Sequence, residues 1–172
     1  IVCQDKSKLD IKKTKIKLNE ALAKNYFYPG REWPYKNVKP RIICEKYINN
    51  QEQAGLNDYK VMCFNGTPKL IQVMTERKKN GFKLNQFDMN WNELDIPRKT
   101  IERNFIVPKK PKNLQLMIDI SKRISSDFPF VRVDFFEVNE KLYFGEITFF
   151  PVSGYMDFVN ESDNIKLGSW IK

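Results

Sequence analysis

The chain has 172 residues, which is enough for one domain with its own core or for two small lobes. Its composition is that of a globular protein, and no apolar run approaches the ~18 residues that a membrane-spanning helix needs. Histidine is absent, which excludes histidine-dependent catalytic triads, histidine zinc motifs and histidine general bases. The formal net charge of +9 favours an anionic partner such as a nucleotide, an acidic polysaccharide or a membrane surface, although lysine-rich faces are also often simply solvated.

The three cysteines are odd in number and widely spaced, which argues against a disulfide scaffold and against a zinc site. Cys3, Cys44 and Cys63 each lie in an apolar run, so we expect buried free thiols. Free thiols favour a cytoplasmic protein, with the inner face of the membrane as an alternative location.

The N-terminal part of the sequence predicts a lysine-rich helix. Ile1-Val2-Cys3 is typical of the end of a strand, so we expect that an N-terminal part is missing. A helix follows over residues 7–25, with Ser7 as N-cap and a lysine face that we expect to be solvated; membrane or polyanion binding is the alternative. Residues 26–35 are aromatic but interrupted by Pro and Gly, which predicts irregular structure that packs between lobes or stacks on a ligand.

The middle of the chain predicts strands and one variable segment. Residues 41–48 predict a strand, and residues 58–64 and 68–75 predict a hairpin around Asn65-Gly66, a strong two-residue turn signal. Residues 76–83 predict a basic turn-forming segment. Residues 87–111 predict an irregular excursion with Trp91 as an anchor, and their Asp88-Met89-Asn90 is only a superficial match to the Asp-x-Asp of glycosyltransferases.

The C-terminal part predicts a helix that begins at Asn113 and a β-hairpin with strands over residues 131–138 and 141–149. We predict a loop with an odd number of residues, which places the carboxylates of Asp134 and Glu146 on the same side of the hairpin. Thr148 lies two residues further along that side.

Two carboxylates about 5 Å apart repel each other by roughly 3 kcal/mol at an effective dielectric constant near 20. A proton or a cation between them would remove this repulsion, and Mg²⁺ prefers such hard oxygen ligands. The alternative is that Arg132, on the same side, simply pairs with Asp134.

The hairpin VRVDFF…YFGEITFFPVSG resembles the metal-binding end of the ATP-grasp superfamily. The resemblance implies that Asp134, Glu146 and Thr148 hold Mg²⁺ against the phosphates of ATP, with Thr148 in a position where Asn is usual. It also implies that Glu45, Lys46, Tyr47 and Ile48 form a hinge that binds adenine. The resemblance further implies that two basic residues bind phosphate and are catalytic: Lys60, in Asp58-Tyr59-Lys60, and Arg77.

The order of these motifs along the whole chain resembles the TupA-like ATP-grasp proteins of teichuronopeptide and capsular polysaccharide synthesis. The resemblance implies an α+β, partial ATP-grasp fold with a mostly antiparallel sheet and flanking helices. Residues 1–40 would be the remainder of the small lobe, and residues 41–172 the C-terminal lobe with the hinge, the metal-binding hairpin and the excursion at 87–111. The family's N-terminal lysine strand is absent from this sequence, so we expect weak ATP binding.

The implied function is an ATP- and Mg²⁺-dependent carboxylate–amine ligase, or a related ligase, acting on an acidic sugar or amino-acid acceptor. A glycosyltransferase of the same pathway and a non-catalytic polyanion-binding module are the alternatives. We expect no nucleic-acid partner, keep peripheral membrane association as an alternative, and leave the oligomeric state open.

Overall fold

A computed structural model describes residues 1–48, 56–78 and 81–172, with only the backbone of Lys78. The chain divides into two units, Ile1–Gln51 and Glu52–Lys172. The lobe boundaries predicted from the sequence stay predictions, and the two units are described separately below.

In the first unit, a 3-10 turn at Lys6–Lys8 precedes helix α1, Ile11–Leu22. Asp10 is its N-cap and accepts a hydrogen bond of 2.9 Å from the backbone N–H three residues further along. The prediction of Ser7 as N-cap was wrong, because the Ser7 hydroxyl donates to Asp5 and leaves the helix start to the Asp10 carboxylate.

The aromatic segment forms only short turns, as predicted: helix α2 at Phe27–Gly30 and a 3-10 turn at Trp33–Tyr35. Phe27 is buried, and its ring lies 5.4 Å from that of Trp33. The strand predicted over residues 41–48 was wrong, because these residues pair with no strand within the described chain, and residues 41–47 are exposed. An extended segment without a hydrogen-bonded neighbour is not stabilised as a strand.

The second unit contains a five-stranded antiparallel sheet of order β3-β2-β1-β4-β5, which agrees with the predicted α+β class. The strands are β1 (Asp58–Phe64), β2 (Thr67–Lys78), β3 (Gly81–Phe87), β4 (Phe130–Val138) and β5 (Lys141–Thr148). Three more elements complete the unit: α3 (Leu114–Ser125), a short 3-10 segment (Pro151–Gly154) and α4 (Glu161–Gly168).

The first hairpin turns at Asn65-Gly66, as predicted, with φ of 46° and 74°. The chain reverses within the turn-forming segment predicted over residues 76–83, since Lys78 pairs with Gly81 in antiparallel strands. The predicted bounds were too wide, because β2 continues to Lys78 and β3 begins at Gly81. The sequence GFKLNQF contains no β-branched residue, so propensity did not reveal β3.

The two faces of the sheet differ in their cover. Helix α3 packs against one face, over a core that includes Val61, Val133 and Phe135. A second cluster, built around Met62 and Leu70 with Phe158 and Leu167, covers one end of the opposite face. The same face also carries buried polar side chains, among them Asp58, Lys60 and Asp134, and these form the candidate site.

The segment at 87–111 is largely irregular, as predicted, and it lies along β3. Phe87 forms an isolated bridge with Glu93, and the Leu94 N–H donates to the Gln86 carbonyl at 2.7 Å. Trp91 is the predicted anchor: its ring stacks on that of Phe87 with centroids 4.2 Å apart. The edge of the sheet at β3 is therefore covered, which protects its free backbone groups.

Candidate functional site

The hairpin β4–β5 places Asp134 and Glu146 on one face, but by a different route from the predicted one. The predicted odd-numbered loop was wrong: Val138 pairs with Lys141 around a two-residue turn, in which Asn139 and Glu140 have φ of 49° and 63°. This register alone would place the two carboxylates on opposite faces.

A β-bulge in β5 restores the alignment. The register shifts between the pairs Phe135↔Phe144 and Val133↔Ile147, so that Gly145 and Glu146 together oppose Asp134. A Cβ atom at Gly145 would lie 3.1 Å from the Asp134 carbonyl oxygen, which is why glycine suits this position.

One guanidinium nitrogen joins all three predicted metal ligands. Nη2 of Arg132 lies 2.7 Å from Oδ2 of Asp134, 2.7 Å from Oε1 of Glu146 and 2.9 Å from Oγ1 of Thr148. Its Nε donates to the other oxygen of Asp134 at 2.7 Å, which completes a bidentate pair. The Arg132–Asp134 pairing that the sequence left as an alternative is therefore present.

Lys60 lies beneath this cluster, between two buried carboxylates. Its Nζ donates to Oδ2 of Asp134 and lies 2.9 Å from Oδ2 of Asp58. The strand register explains the arrangement, since Lys60 on β1 is directly opposite Asp134 on β4. The same face continues to β3 through Gln72, opposite Lys60, which donates to the side chain of Gln86 at 3.1 Å.

Asp58 connects the buried cluster to the surface. Nη1 of Arg77, whose side chain is largely exposed, lies 3.6 Å from Oδ2 of Asp58. Burial raises the pKa of the Asp58 carboxyl, and the attraction of Lys60 opposes this rise only in part. Oδ1 of Asp58 is buried without a hydrogen-bond partner among the described residues, which is an energetically costly arrangement.

We call the resulting set the carboxylate–cation network; it comprises Asp58, Lys60, Arg77, Arg132, Asp134, Glu146 and Thr148. Three cations balance three carboxylates, so the network is formally neutral. The structure thus brings together five of the residues predicted from the sequence, namely Lys60, Arg77, Asp134, Glu146 and Thr148. Asp58 and Arg132 were not predicted as site residues, although each is two positions from one and so shares its strand face.

The predicted adenine residues lie in the first unit. Glu45, Lys46 and Tyr47 are exposed and Ile48 is half-buried, and the Tyr47 hydroxyl accepts a hydrogen bond of 2.8 Å from Gln4. Their role in nucleotide binding stays a prediction.

The oxygen donors of the network are of the kind that a hard divalent cation prefers, although Arg132 contacts them in the structure. Among the described residues, no group of three or more Asp, Glu, Cys or His side chains is placed for a metal ion. The available donors are the two carboxylates and the hydroxyl that converge on Nη2 of Arg132. Oxygen donors of this kind, completed by water and phosphate, suit Mg²⁺ once the guanidinium has left the point of convergence.

Asp88, which resembled part of a glycosyltransferase motif, makes its hydrogen bonds within the turn that it forms. Its carboxylate accepts hydrogen bonds from the backbone N–H groups of Asn90 and Asn92 and from the Asn92 side chain. Burial tends to raise the pKa of the Asp88 carboxyl, but these hydrogen bonds outweigh burial and lower the pKa. Its geometry is that of a turn-forming residue.

Comparison with known proteins decides the family. A family model for TupA-like ATP-grasp proteins matches residues 1–172. The chain belongs to this family. No curated protein and no solved structure matches it.

Membership of the TupA-like ATP-grasp family suggests an enzyme, either a ligase of the ATP-grasp type or a protein with a related role. It also agrees with the partial ATP-grasp fold expected from the sequence, since the five-stranded antiparallel sheet with its helices is α+β. In the part of the chain that the structure describes, no helix is both long and apolar enough to cross a bilayer.

Two of the predicted buried thiols are not buried. Cys63 lies in the core, where burial raises the pKa of its thiol to about 11, but Cys3 is half-buried and Cys44 is exposed. All three are free, so the structure agrees with the absence of a disulfide scaffold.

Proposed function

We infer that this protein is an ATP- and Mg²⁺-dependent ligase that joins a carboxylate to an amine, or a closely related ligase, in the synthesis of a surface or capsular polysaccharide. The observation that carries the proposal is the carboxylate–cation network, in which the residues predicted for metal and phosphate converge on one sheet face of an ATP-grasp chain. An acidic sugar or an amino-acid unit is the proposed acceptor.

The chemistry needs positioning and charge neutralisation more than a covalent catalyst, because the transferred phosphoryl group carries its charge on oxygens that cations can stabilise. The lack of histidine is therefore no obstacle. Arg77 is the cation whose side chain is exposed to an incoming phosphate, whereas Lys60 supports the site from below by neutralising Asp58 and Asp134.

Asp134, Glu146 and Thr148 would hold Mg²⁺, which when bound would neutralise charge on the ATP phosphates. Arg132 holds the same three side chains in the structure, so its guanidinium keeps them aligned and offsets part of the carboxylate charge before the nucleotide arrives. Once released from Glu146, the planar guanidinium has the donor geometry that binds a phosphate through two hydrogen bonds. Glu45 to Ile48 are the proposed adenine residues.

The test is ADP formation by the Glu146→Gln variant of the full-length protein, since Gln keeps the shape of the side chain but removes its charge. We expect turnover to fall by at least a hundredfold. The matched control is Glu20→Gln in α1, an exposed glutamate outside the network, which should leave turnover unchanged. Normal ADP formation by Glu146→Gln would overturn the assignment of the metal site.

A further inference from the structure

The irregular segment at 87–111 carries an exposed apolar tip. Phe105, Ile106 and Val107 are consecutive, and their exposed fractions are 91%, 78% and 47%. Single exposed apolar residues are common, but three adjacent ones of this size form a patch that usually has a partner. We call these three residues the apolar tip.

The tip is held in place by buried residues on both sides. Asn104 is buried: its Nδ2 donates to the Thr75 hydroxyl at 2.8 Å, and its Oδ1 accepts from the Ile106 N–H at 3.0 Å. Pro108 is also buried, and its carbonyl accepts a hydrogen bond of 3.3 Å from Trp91 Nε1. The fold therefore presents the tip outward instead of letting it collapse onto the sheet.

Two lysines follow the tip directly. Lys109 and Lys110 are exposed, and neither has an ion-pair partner among the described residues. The nearest other basic residues in the sequence form ion pairs, Arg103 with Glu93 and Lys112 with Glu140. The basic residues next to the tip that lack an ion-pair partner in the described chain are thus the two that follow it in the sequence.

We propose that the apolar tip and Lys109-Lys110 dock the protein on an anionic lipid membrane. The tip enters the interface between headgroups and acyl chains, and the two lysines contact the anionic headgroups. This inference is independent of the ligase proposal and goes beyond it.

The size of the tip favours a membrane over a protein partner. Three side chains of this size offer roughly 400 Å² of contact surface, judged from the area that large side chains bury. A specific protein interface takes about 800 Å² from each partner. A bilayer has no such requirement, because a short apolar protrusion beside basic residues is sufficient for reversible binding.

The test is flotation of the protein with vesicles of phosphatidylcholine alone and of phosphatidylcholine with phosphatidylglycerol. Wild-type protein should bind the anionic vesicles and not the neutral ones. The tip variant Phe105→Ser/Ile106→Ser should bind at least tenfold more weakly. Lys109→Gln/Lys110→Gln should lose about fivefold per lysine at low salt.

Two matched variants control for general effects. Val159→Ser/Ile165→Ser removes two exposed apolar side chains elsewhere in the same unit, and Lys12→Gln/Lys17→Gln removes two exposed lysines from α1. Both should bind the anionic vesicles as the wild type does. All substitutions are at exposed positions, and thermal unfolding would confirm that each variant is folded.

Three outcomes would overturn the proposal. One is that wild-type protein binds no vesicles. Another is that the tip variant binds as tightly as wild type, which would leave general electrostatic attraction as the cause. The last is self-association that requires the tip in the absence of vesicle binding, which would identify a second copy of the chain as its partner.

Discussion

Replacing Lys60 with Met would test whether the buried part of the carboxylate–cation network depends on its central cation. The side chains of Lys60, Asp58 and Asp134 are 8%, 4% and 2% exposed, so water does not screen the interaction. Removing one partner of a buried ion pair costs about 3–5 kcal/mol, because the remaining charge stays buried. Arg132 still pairs with Asp134, and Arg77 lies 3.6 Å from Asp58, so we expect the lower value, about 3 kcal/mol at pH 7.

The loss should depend on pH. Burial already raises the pKa of Asp58 above its ordinary value of 3.8, and without Lys60 it rises further. A carboxyl whose folded pKa lies above its unfolded pKa binds more protons in the folded state, so it favours folding at low pH and loses that effect as pH rises through the folded pKa. The Lys60→Met variant should therefore be less destabilised at pH 4.5 than at pH 7.

Urea unfolding of both proteins at the two pH values measures this difference. The control is Lys141→Met, which removes an exposed lysine from β5 and should change the free energy of unfolding by less than about 0.5 kcal/mol. A loss below about 1 kcal/mol for Lys60→Met at pH 7, or an equal loss at both pH values, would refute the reasoning.

Two further predictions concern the bulge in β5 and the partly buried ion pair between Arg98 and Asp157. Gly145→Ala would place a Cβ 3.1 Å from a carbonyl oxygen of β4, and we expect the free energy of unfolding, measured with urea, to fall by about 1–3 kcal/mol. The control is Gly168→Ala, which has no atom within 4 Å of the added Cβ and should be neutral or stabilising. Equal effects of the two substitutions would contradict the role of the bulge. Asp157 accepts hydrogen bonds from Thr100 and Arg98, which lower its pKa to about 2. The ionised Asp157 therefore stabilises the folded state above pH 3.8, and this stabilisation is lost as pH falls through 2. Asp157→Asn should lower the Tm near pH 6 by much more than near pH 2, and an equal lowering of the Tm at both pH values would rule out this linkage.

Local signals predicted those elements whose structure depends on their own residues. The turn at Asn65-Gly66 follows from two residues that tolerate positive φ, and helix α3 follows from apolar spacing. β3 and residues 41–48 show the limit of local signals. β3 exists because β2 pairs with it, and residues 41–48 are not a strand because no described strand pairs with them.

The candidate site shows the same division between local and non-local information. That Asp134 and Glu146 share a face was predicted correctly, but the predicted loop was wrong, and a bulge at Gly145 produces the result instead. A bulge depends on the partner strand, so hairpin length alone could not reveal it. The sequence also could not show that Lys60 lies opposite Asp134, because that contact joins residues 74 positions apart through the pairing of β1 with β4.

The ligase proposal requires that nucleotide binding depend on Mg²⁺ and on the carboxylates of β4 and β5. Calorimetric titration of the full-length protein with a non-hydrolysable ATP analogue, with and without Mg²⁺, tests this requirement most directly. We expect binding only when Mg²⁺ is present, and its loss in the Asp134→Asn/Glu146→Gln variant. No binding at millimolar analogue, or binding that is indifferent to Mg²⁺ and to both carboxylates, would contradict the proposed nucleotide site.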